Sequence, residues 1–142
     1  MEIRGGCHCG NVTFALSWPD GEARIPARAC GCTFCRKHGA SWTSHVDARL
    51  RISVRDAERL ERYHFGTRTA DFLVCRTCGV PTVAISNIDD RDYAVVNINT
   101  FEAVDPALFD RSSSDFEGEA TEDRLARRKS RWIADVGVTL NP

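Results

Sequence analysis

Gly5-Gly6-Cys7-His8-Cys9-Gly10-Asn11-Val12-Thr13-Phe14-Ala15-Leu16-Ser17-Trp18 places two thiols one residue apart immediately before an alternating run. Val12, Phe14, Leu16 and Trp18 alternate with Thr13, Ala15 and Ser17, the period of two that a strand with one buried face requires. A thiol-bearing turn therefore feeds a β-strand. The remaining cysteines extend the pattern: Cys30, Cys32 and Cys35 form a second knot, and Cys75 and Cys78 a third, for a total of seven. Thiolates this close can turn toward one cation, whereas a disulfide needs Cα separations and torsions that such spacings satisfy poorly. An odd count would also leave one thiol unpaired in an oxidising compartment. Met1 to Arg4 offers no apolar leader, and a reducing cytoplasm is the expected location.

Further strand-like stretches are Trp42 to Val46, Leu50 to Val54, Leu60 to Phe65, Thr69 to Val74, Pro81 to Ile85 and Tyr93 to Phe101. The gaps between them are too short for a crossover helix at every step, so a mainly β fold of antiparallel sheets is expected. After Phe101 the composition changes. Asp105-Pro106 breaks the pattern, Ser112 to Ser114 reads as a loop, and Glu119 to Val136 is rich in helix formers, which predicts one C-terminal helix. Leu125, Arg128, Trp132 and Ile133 share roughly one helical stripe, with Trp132 read as a packing anchor.

With 142 residues, 42% of them hydrophobic, the chain is sized for a single zinc domain spanning 1–142, with a core at 1–101 and a helix-bearing extension at 102–142. No apolar run approaches the roughly twenty residues of a membrane helix, so no membrane partner is expected. Nineteen basic residues against twenty acidic ones leave a formal charge of −1, without the positive field of a dedicated nucleic-acid binder. The densest basic run, Arg124, Arg127, Arg128, Lys129 and Arg131, shares its segment with Glu117, Glu119, Glu122 and Asp123 and reads as a solvated helix face.

Cys9-Gly10 and Cys78-Gly79 each set glycine directly after the last cysteine of a knot, where the backbone bends tightly around sulfur and φ turns positive. The two knots read as halves of one closed site, with Cys7, Cys9, Cys75 and Cys78 as the ligands of a structural zinc. The middle knot differs. Cys30, Cys32 and Cys35 offer three thiolates followed by Arg36-Lys37-His38, and three protein ligands leave the open position that marks catalytic zinc. Three thiolates around Zn²⁺ give a net −1, which weakens its Lewis acidity but suits a soft sulfur partner, so a thiol or thiol adduct is the expected substrate. The alternative is that one of His8, His38, His45 or His64 closes this site and makes it structural too. Arg36 and His38 stand beside the trio as candidate substrate contacts.

Gly5 to Phe14, the Cys-x-Cys-x-x-Cys-Arg block at Cys30 to Arg36, and Cys75-Arg76-Thr77-Cys78-Gly79 follow one another in the order that resembles the glutathione-dependent formaldehyde-activating enzymes, a family that includes the centromere protein V relatives. The resemblance spans about Met1 to Phe101. It implies a β-tent of antiparallel sheets and two zinc ions per chain: structural at Cys7, Cys9, Cys75 and Cys78, catalytic at Cys30, Cys32 and Cys35. It further implies a carbon–sulfur lyase that forms or breaks an S-hydroxymethyl adduct between formaldehyde and glutathione, or a related thiol and aldehyde. His38 and His64 are the available proton carriers. The chain departs from the family pattern after its last core strand, where Asp105-Pro106-Ala107-Leu108-Phe109 lacks a histidine. Two other functions fit the residues: a non-catalytic zinc module serving as an interaction surface or thiol carrier, and a redox sensor built on the Cys30 knot.

Overall fold

The computed structural model describes residues 1–141. Strand β1 (Glu2–Gly6) turns through the first knot into β2 (Val12–Ser17), whose Val12, Phe14 and Leu16 are buried and whose Thr13 and Ser17 are exposed, as the alternation requires. β3 (Ile25–Cys30) passes through the middle knot into a short helix, α1 (Thr33–His38), and then β4 (Ser41–Thr43). β5 (Arg49–Val54), β6 (Leu60–Tyr63), β7 (Asp71–Cys75), β8 (Pro81–Ile88), β9 (Arg91–Asn97) and the two-residue β10 (Phe101–Glu102) follow. The last third adds β11 (Phe109–Ser114), α2 (Thr121–Arg131) and β12 (Asp135–Leu140). No helix among the described residues is long and apolar enough to cross a membrane.

The strands form two sheets, one of five in the order β10-β1-β2-β5-β12 and one of seven in the order β11-β3-β4-β9-β8-β7-β6. Ile3, Leu16 and Ile52 of the smaller sheet pack against Ile25, Leu73, Val83 and Val96 of the larger, and all are essentially inaccessible to water. The larger sheet is covered on its other face as well. Along β8, Val83 and Ile85 point into this core while Ala84 joins Trp42, Val95, Phe72 and Trp132 on the opposite side, which explains a strand buried at seven of its eight positions. That second apolar layer is the floor of the site described below.

Mainly β architecture with antiparallel-rich sheets and one C-terminal helix agrees with the reading of the sequence; three details differ. The helix stops at Arg131, and Asp135–Leu140 forms β12, parallel to β5 in the smaller sheet. Val136, Val138 and Leu140 carry the strand alternation there, but the run of helix formers before them obscures the boundary. Ser112 to Ser114 is strand rather than loop, because β11 lies parallel to β3 with Ser114 opposite Cys30. The middle knot runs from strand into helix: Cys30 ends β3, and the Cys32 sulfur caps α1 by accepting from the Cys35 N–H at 3.4 Å.

Close approach of β1 to its neighbours requires both of its glycines, and a Cβ at Gly6 would run into the Val12 carbonyl oxygen. A Cβ at Gly5 would run into the Thr100 carbonyl oxygen and the Phe14 ring. Neither backbone nor packed aromatic can yield cheaply, so Gly5→Ala is expected to destabilise by about 1–3 kcal/mol. A thermal melt showing no loss of stability would contradict this packing.

Candidate metal centres and cavity

The first and third knots meet although 66 residues separate Cys9 from Cys75. Cys7 and Cys9 lie on the β1–β2 turn, Cys75 ends β7, and Cys78 lies in the turn before β8. All four sulfurs fall within 4.8 Å of one another. Cys7 and Cys9 are 3.8 Å apart and Cys9 and Cys75 3.5 Å apart, close to the edge of about 3.8 Å in a tetrahedron of Zn–S bonds about 2.3 Å long. The backbone holds the sulfurs in place: Val12 N–H donates to Cys7 Sγ, and Thr77 and Cys78 N–H donate to Cys75 Sγ. Gly10 and Gly79 take φ of +84° and +78°, the positive values expected after each knot. Arg59 reaches Cys9 Sγ at 3.7 Å from outside.

Within this foursome burial pushes the Cys7 thiol up to about 11. Cys78 moves down to about 6, because N–H groups of Cys9 and Val80 and the thiols of Cys75 and Cys7 outweigh a burial that acts against the thiolate. Four thiols crowded this closely concentrate the negative charge that a divalent cation satisfies.

Cys30, Cys32 and Cys35 also lie within 4.8 Å of one another, and no histidine among the described residues joins them. Cys30 ends β3, Cys32 caps α1, and Cys35 sits in α1 with 2% exposure. The Trp42 indole N–H donates to Cys35 Sγ at 3.3 Å, fixing that sulfur on the floor. A hydrogen bond from Cys35 is the main influence lowering Cys30 to about 6, while the same contact, together with burial, holds Cys35 far above the ordinary thiol range. The histidines are engaged elsewhere: His45 beside Glu22 and Trp18, His64 with Asp71 and Arg68, and His38 against the Phe34 ring, while His8 is exposed on its turn. Arg36 and His38 lie on the exposed side of α1 and are not among the side chains that line the cavity beside it.

That cavity, about 740 Å³, opens against the trio. Its floor is Trp42, Phe72, Ala84 and Val95; Phe65, Gly66 and Thr67 form one rim; and Arg28 of β3 with Arg124, Arg127, Arg128 and Arg131 of α2 form the facing wall. The basic run is therefore not simply a solvated face. The Arg124, Arg127 and Arg128 side chains are mostly covered, whereas Arg131 lines the cavity from an exposed position and Lys129 turns away to Asp89. Trp132 packs on the floor and also lines the cavity, with the Arg128 guanidinium 4.9 Å from its ring centroid. Arg127 makes a forked pair with Glu119 at 3.0 and 3.2 Å and stacks on Phe116. Arg128 reaches only hydroxyl oxygens, those of Thr69 and Ser86. Its burial, with Arg124 and Arg127 nearby, lowers it to about 10. The sequence held a signal for this wall: 124, 127, 128 and 131 have the spacing of one helix face.

Two comparisons bear on this geometry. A crystal structure of a Rhodobacter sphaeroides protein shares 40% sequence identity with this chain, covering 73% of it and 92% of the bacterial chain, with a TM-score of 0.52. The family model described as glutathione-dependent formaldehyde-activating enzyme matches residues 2–117, which include all seven cysteines. The chain therefore belongs to the glutathione-dependent formaldehyde-activating enzyme family.

Proposed function

We propose that this protein is a zinc-dependent carbon–sulfur lyase that makes or breaks the S-hydroxymethyl adduct of glutathione and formaldehyde, or of a closely related thiol and aldehyde. On this reading Cys7, Cys9, Cys75 and Cys78 hold a structural zinc, and Cys30, Cys32 and Cys35 hold a second at the cavity. The observation that carries it is a contrast between the two knots. Four sulfurs close one site, while three sulfurs, with no fourth ligand side chain among the described residues, face a cavity large enough for a tripeptide-sized ligand.

A zinc ion with three thiolate ligands and a free position supplies Lewis-acid polarisation of the substrate atom placed there. The chain supplies the rest. Trp42 keeps Cys35 in register, the apolar floor keeps water from the reacting carbon, and the arginine wall turns acidic groups of a ligand away from the floor. In the adduct-forming direction the thiol sulfur bonds to the aldehyde carbon, the C=O π pair goes to oxygen, and the thiol proton ends on that oxygen. The sum exchanges no proton with solvent, and the carboxyl groups in the cavity lining are those of Glu117 and of Glu119, the latter tied to Arg127.

Zinc counting by native mass spectrometry is expected to give two ions per chain, with the trio's ion lost first to mild chelation. Adduct formation from glutathione and formaldehyde should exceed the uncatalysed rate in the two-zinc protein and return to background in the one-zinc protein. Two tightly held ions with no acceleration in either direction would favour the non-catalytic zinc module.

A further inference from the structure

The arginine wall is expensive to fold. Arg28, Arg128 and Arg131 line the cavity with no carboxylate partner among the described residues, and the Nε atoms of Arg124 and Arg128 are buried without any hydrogen-bond acceptor. Burying guanidinium groups side by side costs both desolvation and mutual repulsion. Only Arg124 and Arg127 have a carboxylate to answer them, that of Glu119. Repulsion from Arg131 and Arg127, added to burial, lowers Arg28 as well. Positive charge is thus concentrated on one side of an apolar cavity whose other end is the cysteine trio. Four of the five arginines sit on α2, beyond the 2–117 segment that the family model matches.

We propose that Arg28, Arg128 and Arg131 form an acid-recognition wall, contributed mainly by the C-terminal extension, which selects thiol substrates carrying at least two anionic groups and presents their sulfur end to Cys30, Cys32 and Cys35. This rests on the lyase reading only for the sulfur end; the anion end stands on guanidinium groups that have no carboxylate partner among the described residues. The shared chemistry is a carboxylate or phosphate paired with a guanidinium fork. Glutathione, with two carboxylates, and phosphate-bearing thiols such as phosphopantetheine both offer it.

The test is titration calorimetry of the two-zinc protein with glutathione, glutathione diethyl ester and phosphopantetheine. Masking the carboxylates is expected to weaken binding about tenfold to a hundredfold, the loss of one or two charge-assisted hydrogen bonds. Glutathione affinity should also fall as salt is raised. Arg28→Gln and Arg131→Gln are placed nearer the surface than Arg128, so they keep the fold, checked by zinc content and circular dichroism. Each should move the glutathione-to-ester affinity ratio toward one. Phosphopantetheine binding more tightly than glutathione would support the wall and assign it to phosphate. Ester and acid binding alike, or a ratio unmoved by both substitutions, would overturn the wall while leaving adduct turnover, measured in parallel, to decide the lyase reading. Salt-sensitive glutathione binding without turnover would do the reverse.

Discussion

Replacing Cys78 by serine is expected to leave a chain that does not fold. The substitution removes one thiolate from a closed quartet, and structural zinc in such sites contributes on the order of 10 kcal/mol. Whole domains are stable by only about 5–15 kcal/mol, so the loss consumes most or all of the margin. The position of the site makes the effect global. The quartet ties the β1–β2 turn of the smaller sheet to the β7–β8 turn of the larger, and Cys7 and Cys75 are themselves part of the buried layer between the sheets. Purified Cys78→Ser should show no cooperative thermal transition, rapid proteolysis and at most one zinc. A sharp melt close to that of the parent would show that the quartet is dispensable.

Cys32→Ser should have the opposite profile. Cys32 is half-exposed and its structural duty is to cap α1, a position where serine is among the best residues, so the helix keeps its cap. On the proposed reading it loses a metal ligand, and two remaining thiolates hold zinc poorly against a chelator. The expected protein is folded, melts within a few degrees of the parent, carries one zinc rather than two, and accelerates adduct formation at least about a hundredfold less, the scale expected when a principal source of charge stabilisation is removed. Unfolding of Cys32→Ser to the same extent as Cys78→Ser would refute the division of the seven sulfurs into four and three.

The legible part of this molecule was whatever local spacing encodes. Knots of cysteine mark which sulfurs gather, glycine after Cys9 and Cys78 marks the turn, and Val12 to Trp18 marks a half-buried strand. What escaped was set by distant partners. Ser112-Ser113-Ser114 has no period and becomes strand only because the edge of β3 is there to pair with. α1 is too short for a periodic signature and is defined by its Cys32 cap. The sequence placed Arg128 on the packed stripe with Leu125 and Trp132, while charge alone assigned Arg124 and Arg127 to solvent. Their stems and guanidinium planes instead cover Phe116, Trp132 and the cavity, a use of arginine that depends on which aromatic surfaces the fold brings near. Arg28, alone on β3, gave no local signal.

Helix α2 is preceded by a strand woven into the seven-stranded sheet and followed by one woven into the five-stranded sheet. A helix moored at both ends does not swing, so its guanidinium groups keep their spacing whether or not an acid lies between them. Under the proposed recognition, selection resides in the resting molecule, and the cost of gathering like charges is met once, when the chain folds.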